Sequence, residues 1–88
     1  MNKIKFLADY YGKLNQELKA KEELSELQEE LNYNIITDGV SENTSSEIAD
    51  VLIMILQIIY LYGIQEDVKE EIKFKLNRQI DRIKNTKY

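Results

Sequence analysis

Residues 48–62 read Ile-Ala-Asp-Val-Leu-Ile-Met-Ile-Leu-Gln-Ile-Ile-Tyr-Leu-Tyr, and this run decides the fold. A helix built from it has no wide polar face and has to be enclosed on several sides. The run is shorter than the roughly 20 residues that span a bilayer, and Asp50 and Gln57 sit inside it, so a buried helix is expected rather than a membrane one. Upstream, Asn34 to Ser46 is rich in Asn, Asp, Gly, Ser and Thr, whose side chains compete for backbone hydrogen bonds or tolerate positive φ. This is the one real loop. Thr44 followed by Glu47 fits a capping box, with Asn43 and Ser45 as alternative caps, and Gly63 closes the helix.

Before the loop, Ile4, Leu7, Tyr11, Leu14, Leu18, Leu24, Leu27 and Leu31 recur at helical spacing, which predicts a first helix from about Asn2 to Tyr33, loosened at Gly12. After Gly63, Val68, Ile72, Leu76, Ile80 and Ile83 form a clean stripe over about Gln65 to Asn85. This third helix is expected to lean on the bundle. The chain therefore reads as all-α, a single domain over residues 1–88 with a bundle of three helices. Two helices cover only part of the apolar one, so we expect homo-oligomerisation, as a homodimer or homotetramer, to complete the bundle.

Eighty-eight residues bury only about 60 to 65% of the surface of the unfolded chain, which also favours self-association. There is no cysteine and no histidine, which removes disulfides, thiolate nucleophiles and most zinc sites. Oxygen-only chemistry favours hard cations such as Mg²⁺, Mn²⁺ or Ca²⁺. Residues 69–88 hold seven Lys or Arg against three Asp or Glu, a charge of +4, so the rest of a chain with net charge −4 carries −8. The acidic density peaks at Glu17, Glu22, Glu23, Glu26, Glu29 and Glu30. The N-terminal residues do not read as a signal peptide, and a cytoplasmic location is expected.

Residues three apart on a helix share a face, so Glu23 with Glu26, and Glu47 with Asp50, can each aim two carboxylates at one volume. If the two helices pack antiparallel through the loop, the four converge, and their repulsion calls for a cation. Asp50 lies between Ala49 and Val51 at the start of the apolar run. An ionised carboxylate left alone there costs several kcal/mol or more, so it must pair with a Lys or Arg of the last helix, protonate or bind metal.

The order Glu22-Glu23-Leu24-Ser25-Glu26-Leu27, a loop of turn residues, Glu47-Ile48-Ala49-Asp50-Val51-Leu52, then Lys75-Leu76-Asn77-Arg78 resembles the MazG-like all-α nucleoside triphosphate pyrophosphohydrolase superfamily. The resemblance covers about Ala20 to Arg82 and is nearest to its short, phage and prophage-type members. It implies that Glu23, Glu26, Glu47 and Asp50 are ligands of Mg²⁺, with Mn²⁺ as a substitute. It implies phosphate contacts for Lys75 and Arg78, with Asn77 and Arg82 as further candidates. The expected reaction is attack of water on the α-phosphate of a nucleoside triphosphate, ribo or deoxy, releasing the monophosphate and pyrophosphate. Glu22, Glu23 and Glu26 are all candidates to activate that water. The resemblance further implies a base pocket on the first helix, for which Tyr10, Tyr11, Asn15 and Gln16 are the candidates.

Other classes fit less of the sequence. There is no Gly-rich phosphate loop, so a motor or kinase has no support. Interleaved Glu70, Glu71 and Asp81 argue against nucleic-acid binding by the basic helix. The alternative from a different class is a helical protein–protein interaction module without catalytic activity, which accounts for the apolar run but not for Asp50.

Overall fold

The computed structural model describes residues 1–86, which leaves Lys87 of the basic segment outside the described residues. Four helices follow one another: α1 (Lys3–Tyr11), α2 (Lys13–Thr37), α3 (Thr44–Tyr62) and α4 (Gln65–Lys84). The all-α expectation holds, but the count of three helices does not. The expected first helix is two, because Gly12 takes φ 85, ψ 166, outside helical space, a conformation open to glycine for want of a Cβ. Its N–H still closes α1 on the Ala8 carbonyl. Breaking the chain there lets α1 and α2 approach α3 separately, and Ala8, the small residue of α1, is wholly buried.

The second helix also runs past the expected end, to Thr37, and stops where Asp38 adopts the left-handed conformation, φ 53. Asn34, which we expected to open the loop, instead sits in the last turns and ties the loop down. Its amide donates to Thr44 Oγ1 at 2.9 Å and its carbonyl oxygen accepts from the Ser41 backbone N–H at 2.9 Å. Ser41 also donates to Glu30. The cap of α3 is accordingly not a capping box: Asn43 is the N-cap residue, it makes no side-chain cap bond, and the Thr44 hydroxyl is spent on Asn34.

α2 and α3 pack antiparallel, linked near one end by Asn34–Thr44 and near the other by Gln16–Gln57. The face of α2 that is turned inward reads Gln16, Ala20, Glu23, Leu27, Glu30 and Asn34, all buried or half-buried. It is largely polar. Four leucines of the expected stripe lie outside it: Leu14, Leu18, Leu24 and Leu31 are exposed. The buried apolar residues are Ala8, Val51 and Met54, joined by Gln16, Glu23, Thr44 and Gln57.

The expectation that the last helix leans on the bundle also fails. α4 touches only α3, and every described residue from Lys69 to Thr86 is exposed, the stripe of Ile72, Leu76, Ile80 and Ile83 included. Gly63, in the left-handed region at φ 68, ends α3 and lets α4 depart. With α4 standing off, the molecule measures 54 × 36 × 22 Å. Glu66 and Asp67 in its first turn and Arg82 and Lys84 in its last match the helix dipole, which helps it persist with little packing. α3 gains a polar first turn beyond the apolar run and, at 19 residues, has the length and composition of a bilayer-crossing helix.

Candidate metal centre

The antiparallel register that sets Gln16 against Gln57 carries seven residues along each helix to Glu23 and Asp50, and three further to Glu26 and Glu47. Three of these carboxylates come together. Glu23, Glu26 and Glu47 each offer an oxygen, and the three oxygens lie within 4.8 Å of one another. Asp50, on the same face of α3 by its spacing, is half-buried and stands outside that group. Among the described residues both ion pairs belong to Lys19, so the salt bridge from Asp50 to the last helix is not formed.

Burial grades across the cluster. Glu23 is 7% exposed, Glu47 is half-buried and Glu26 is open to solvent. Glu23 Oε1 receives Lys19 Nζ at 3.1 Å, while Glu23 Oε2 and Glu47 Oε2 are shielded from solvent with no hydrogen-bond donor. A buried and a half-buried carboxylate whose oxygens lie within 4.8 Å of one another repel by about 3 to 4 kcal/mol at an effective dielectric constant near 20, and one lysine, bonded to Glu23 Oε1, leaves the shielded oxygens of Glu23 and Glu47 unsatisfied. The Glu23 carboxylate beside it pushes the Glu26 carboxyl above its ordinary 4.5, with smaller contributions from desolvation, a hydrogen bond with Glu23 and the charges of Glu47 and Glu22. Lys19 is raised in turn, chiefly by its hydrogen bond to Glu23.

This donor set fits a hard divalent cation: three carboxylates, two with an orphaned oxygen aimed away from water, and no nitrogen or sulfur ligand. Mg²⁺ keeps several of its waters and takes few protein ligands, so three carboxylates suffice. Lys19 was missed by sequence reasoning. Its signal was the i, i+4 spacing to Glu23, ordinary on a charged helix and informative only once Glu23 is known to be buried.

Of the other candidates, Tyr11, Asn15 and Gln16 line one cavity between α1, α2 and α3, and the rest are scattered. Glu22 points outward, 3.6 Å from Lys19. Lys75, Asn77, Arg78 and Arg82 lie on α4, which makes no contact with α2, so a single chain does not bring them to the carboxylates. Arg78 instead covers the Phe74 ring, 5.5 Å from its centroid. On α1, Tyr10 is exposed and packs edge-on against Tyr11. Asn15 donates to the Tyr11 carbonyl at 2.8 Å, and Gln16 is buried.

Fold and site together define an all-α protein with a three-glutamate cluster set between two antiparallel helices. Comparison with protein-family models, curated proteins and solved structures finds no match.

Proposed function

We propose that this chain is a Mg²⁺-dependent nucleoside triphosphate pyrophosphohydrolase, a short MazG-like enzyme acting in the cytoplasm as a homodimer or homotetramer. The observation that carries the reading is the pair of solvent-shielded, unpartnered oxygens on Glu23 and Glu47, converging with Glu26. The order of motifs from Glu22 to Arg78 supports it independently.

Mg²⁺ bound there would neutralise triphosphate charge and lower the pKa of a bound water. Glu23 and Glu47 would be the fixed ligands, because one oxygen of each is shielded from solvent. Asp50, nearly one turn further along α3, would complete the set after a rotamer change. Glu26 is the solvent-exposed member of the cluster, which suits it to take a proton from the attacking water and pass it to solvent; Glu22, turned outward, is the weaker candidate. Lys19 holds Glu23 in place. Lys75, Asn77, Arg78 and Arg82 serve as phosphate contacts only when α4 of a second copy lies over the cluster, which ties activity to assembly.

Incubating the purified protein with a panel of canonical and modified NTPs and dNTPs tests the proposal. Monophosphate and pyrophosphate should appear with Mg²⁺ and not with chelator. No turnover of any substrate, with metal bound and the oligomer intact, sinks it.

The second reading, a helical interaction module, is favoured by the exposed apolar stripe of α4. A module keeps its partner after Glu47→Gln; the enzyme loses metal and turnover together.

A further inference from the structure

Among the described residues Lys19 is the one basic residue bonded to the carboxylate cluster, and holding Glu23 does not exhaust it. Lys19, Glu22, Glu23 and Glu26 stand at i, i+3, i+4 and i+7 along α2, which keeps them on one side of the helix. The ammonium lies 3.1 Å from Glu23 Oε1 and 3.6 Å from Glu22 Oε1. Only the first of these is within hydrogen-bond distance, whereas an ammonium has three donors. The Lys19 side chain is 48% exposed, so its remaining donors are accessible. It also borders open volume, a cavity of about 420 Å³ between α1, α2 and α3.

A site that is to receive a polyphosphate needs such a group. Glu22, Glu23, Glu26, Glu47 and Asp50 have one lysine among them, so a single divalent cation still leaves the site net negative, and a negative site repels a polyphosphate. The other cations are placed elsewhere. Lys5 and Lys13 lie over the rings of Tyr60 and Tyr62, Lys21 lines a separate groove with Leu24 and Tyr62, and the basic residues of α4 do not reach α2.

We infer that Lys19 is a phosphate contact supplied by the same chain that supplies the carboxylates, its ammonium bridging Glu23 to a phosphate group of the substrate. A lysine serves phosphate as a compact point charge with rotatable donors and needs no bidentate geometry, which suits a half-exposed side chain with one donor already engaged. The inference rests on the metal-dependent nucleotide reading above and adds to it a residue of α2, outside the basic segment from Lys75 to Arg82. It gives one chain a first cation for its own site before α4 of a second copy arrives.

The competing account is that Lys19 only neutralises and orients Glu23, an i, i+4 pair of the kind common on helices. The two accounts separate when metal is saturating, because a lysine that merely prepares Glu23 for the metal is no longer needed once the metal is bound. The test titrates inorganic pyrophosphate by calorimetry into wild type, Lys19→Met and Lys19→Arg, each with Mg²⁺ in excess of pyrophosphate and of its own Kd for that protein. Lys19→Met should weaken pyrophosphate roughly tenfold. Lys19→Arg keeps the charge and should recover most of that affinity. Both variants change a surface residue, and circular dichroism should show both folded.

Three results overturn the inference even if triphosphates are hydrolysed: wild-type protein that binds no pyrophosphate, a Lys19→Met variant with wild-type affinity at saturating Mg²⁺, or equal loss in the Met and Arg variants. Loss in Lys19→Met with recovery in Lys19→Arg supports it even if no triphosphate is cleaved, in which case the hydrolase reading alone falls.

Discussion

Glu23 of α2 and Glu47 of α3 each shield one carboxylate oxygen from solvent and leave it without a hydrogen-bond donor, and each residue brings a carboxylate oxygen within 4.8 Å of one on Glu26. A fold that places two such groups together is either carrying an unrelieved electrostatic cost or keeping a place for a cation, and the two cases separate experimentally.

Divalent metal should stabilise the protein. A ligand at a hundred times its Kd adds about 2.7 kcal/mol, which for a chain of this size is on the order of 10 °C in Tm. Differential scanning fluorimetry with Mg²⁺ or Mn²⁺ should record that rise and its reversal by EDTA. A Tm indifferent to millimolar metal contradicts the site.

The same glutamates should be destabilising when no metal is present. In metal-free protein Glu47→Gln removes one of the facing charges, keeps the side-chain shape and raises stability by about 1 kcal/mol. The variant loses the metal-dependent rise at the same time. Urea denaturation of both proteins in EDTA measures the first effect, and a variant less stable than wild type would mean that the Glu47 charge is already compensated within the fold.

Tyrosine ionisation gives a readout of how α1 and α2 are held to α3. The Tyr60 hydroxyl donates to both Asp9 oxygens at 3.0 Å, and Tyr62 donates to Glu17. Each hydrogen bond favours the neutral phenol, and each pushes its tyrosine above the ordinary 10. With the folded value raised, the stabilisation is fully present below pH 10 and lost as pH climbs through the shifted value. Of six tyrosines, these two should ionise last by ultraviolet absorbance, and Tyr60→Phe should delete one late step and make α1 easier to release.

The stripe on α4 should report on assembly rather than on the fold of one chain. Leu76→Glu with Ile80→Glu alters two exposed residues, so secondary structure by circular dichroism should be unchanged. Sedimentation equilibrium should show wild-type association that the double variant loses. Association surviving the change would move the interface to the exposed leucines of α2.

The sequence by itself determined what helix geometry and local chemistry settle within a few residues. It gave the all-helical class, the apolar helix after the loop, the closure at Gly63, and the i, i+3 spacing that lets Glu23 with Glu26 share a face. It also showed that any metal site must be built from oxygen. Only the tertiary structure decided which face of α2 is turned inward, and there the leucine stripe was the wrong guide. Periodicity says which residues lie together on a helix, whereas burial depends on what the distant partner presents. α3 presents Thr44, Glu47 and Gln57, which Asn34, the glutamates of α2 and Gln16 can meet. The leucines were left outside, and the break at Gly12, the departure of α4 and the exclusion of Asp50 from the carboxylate group followed from packing between elements that no local pattern records.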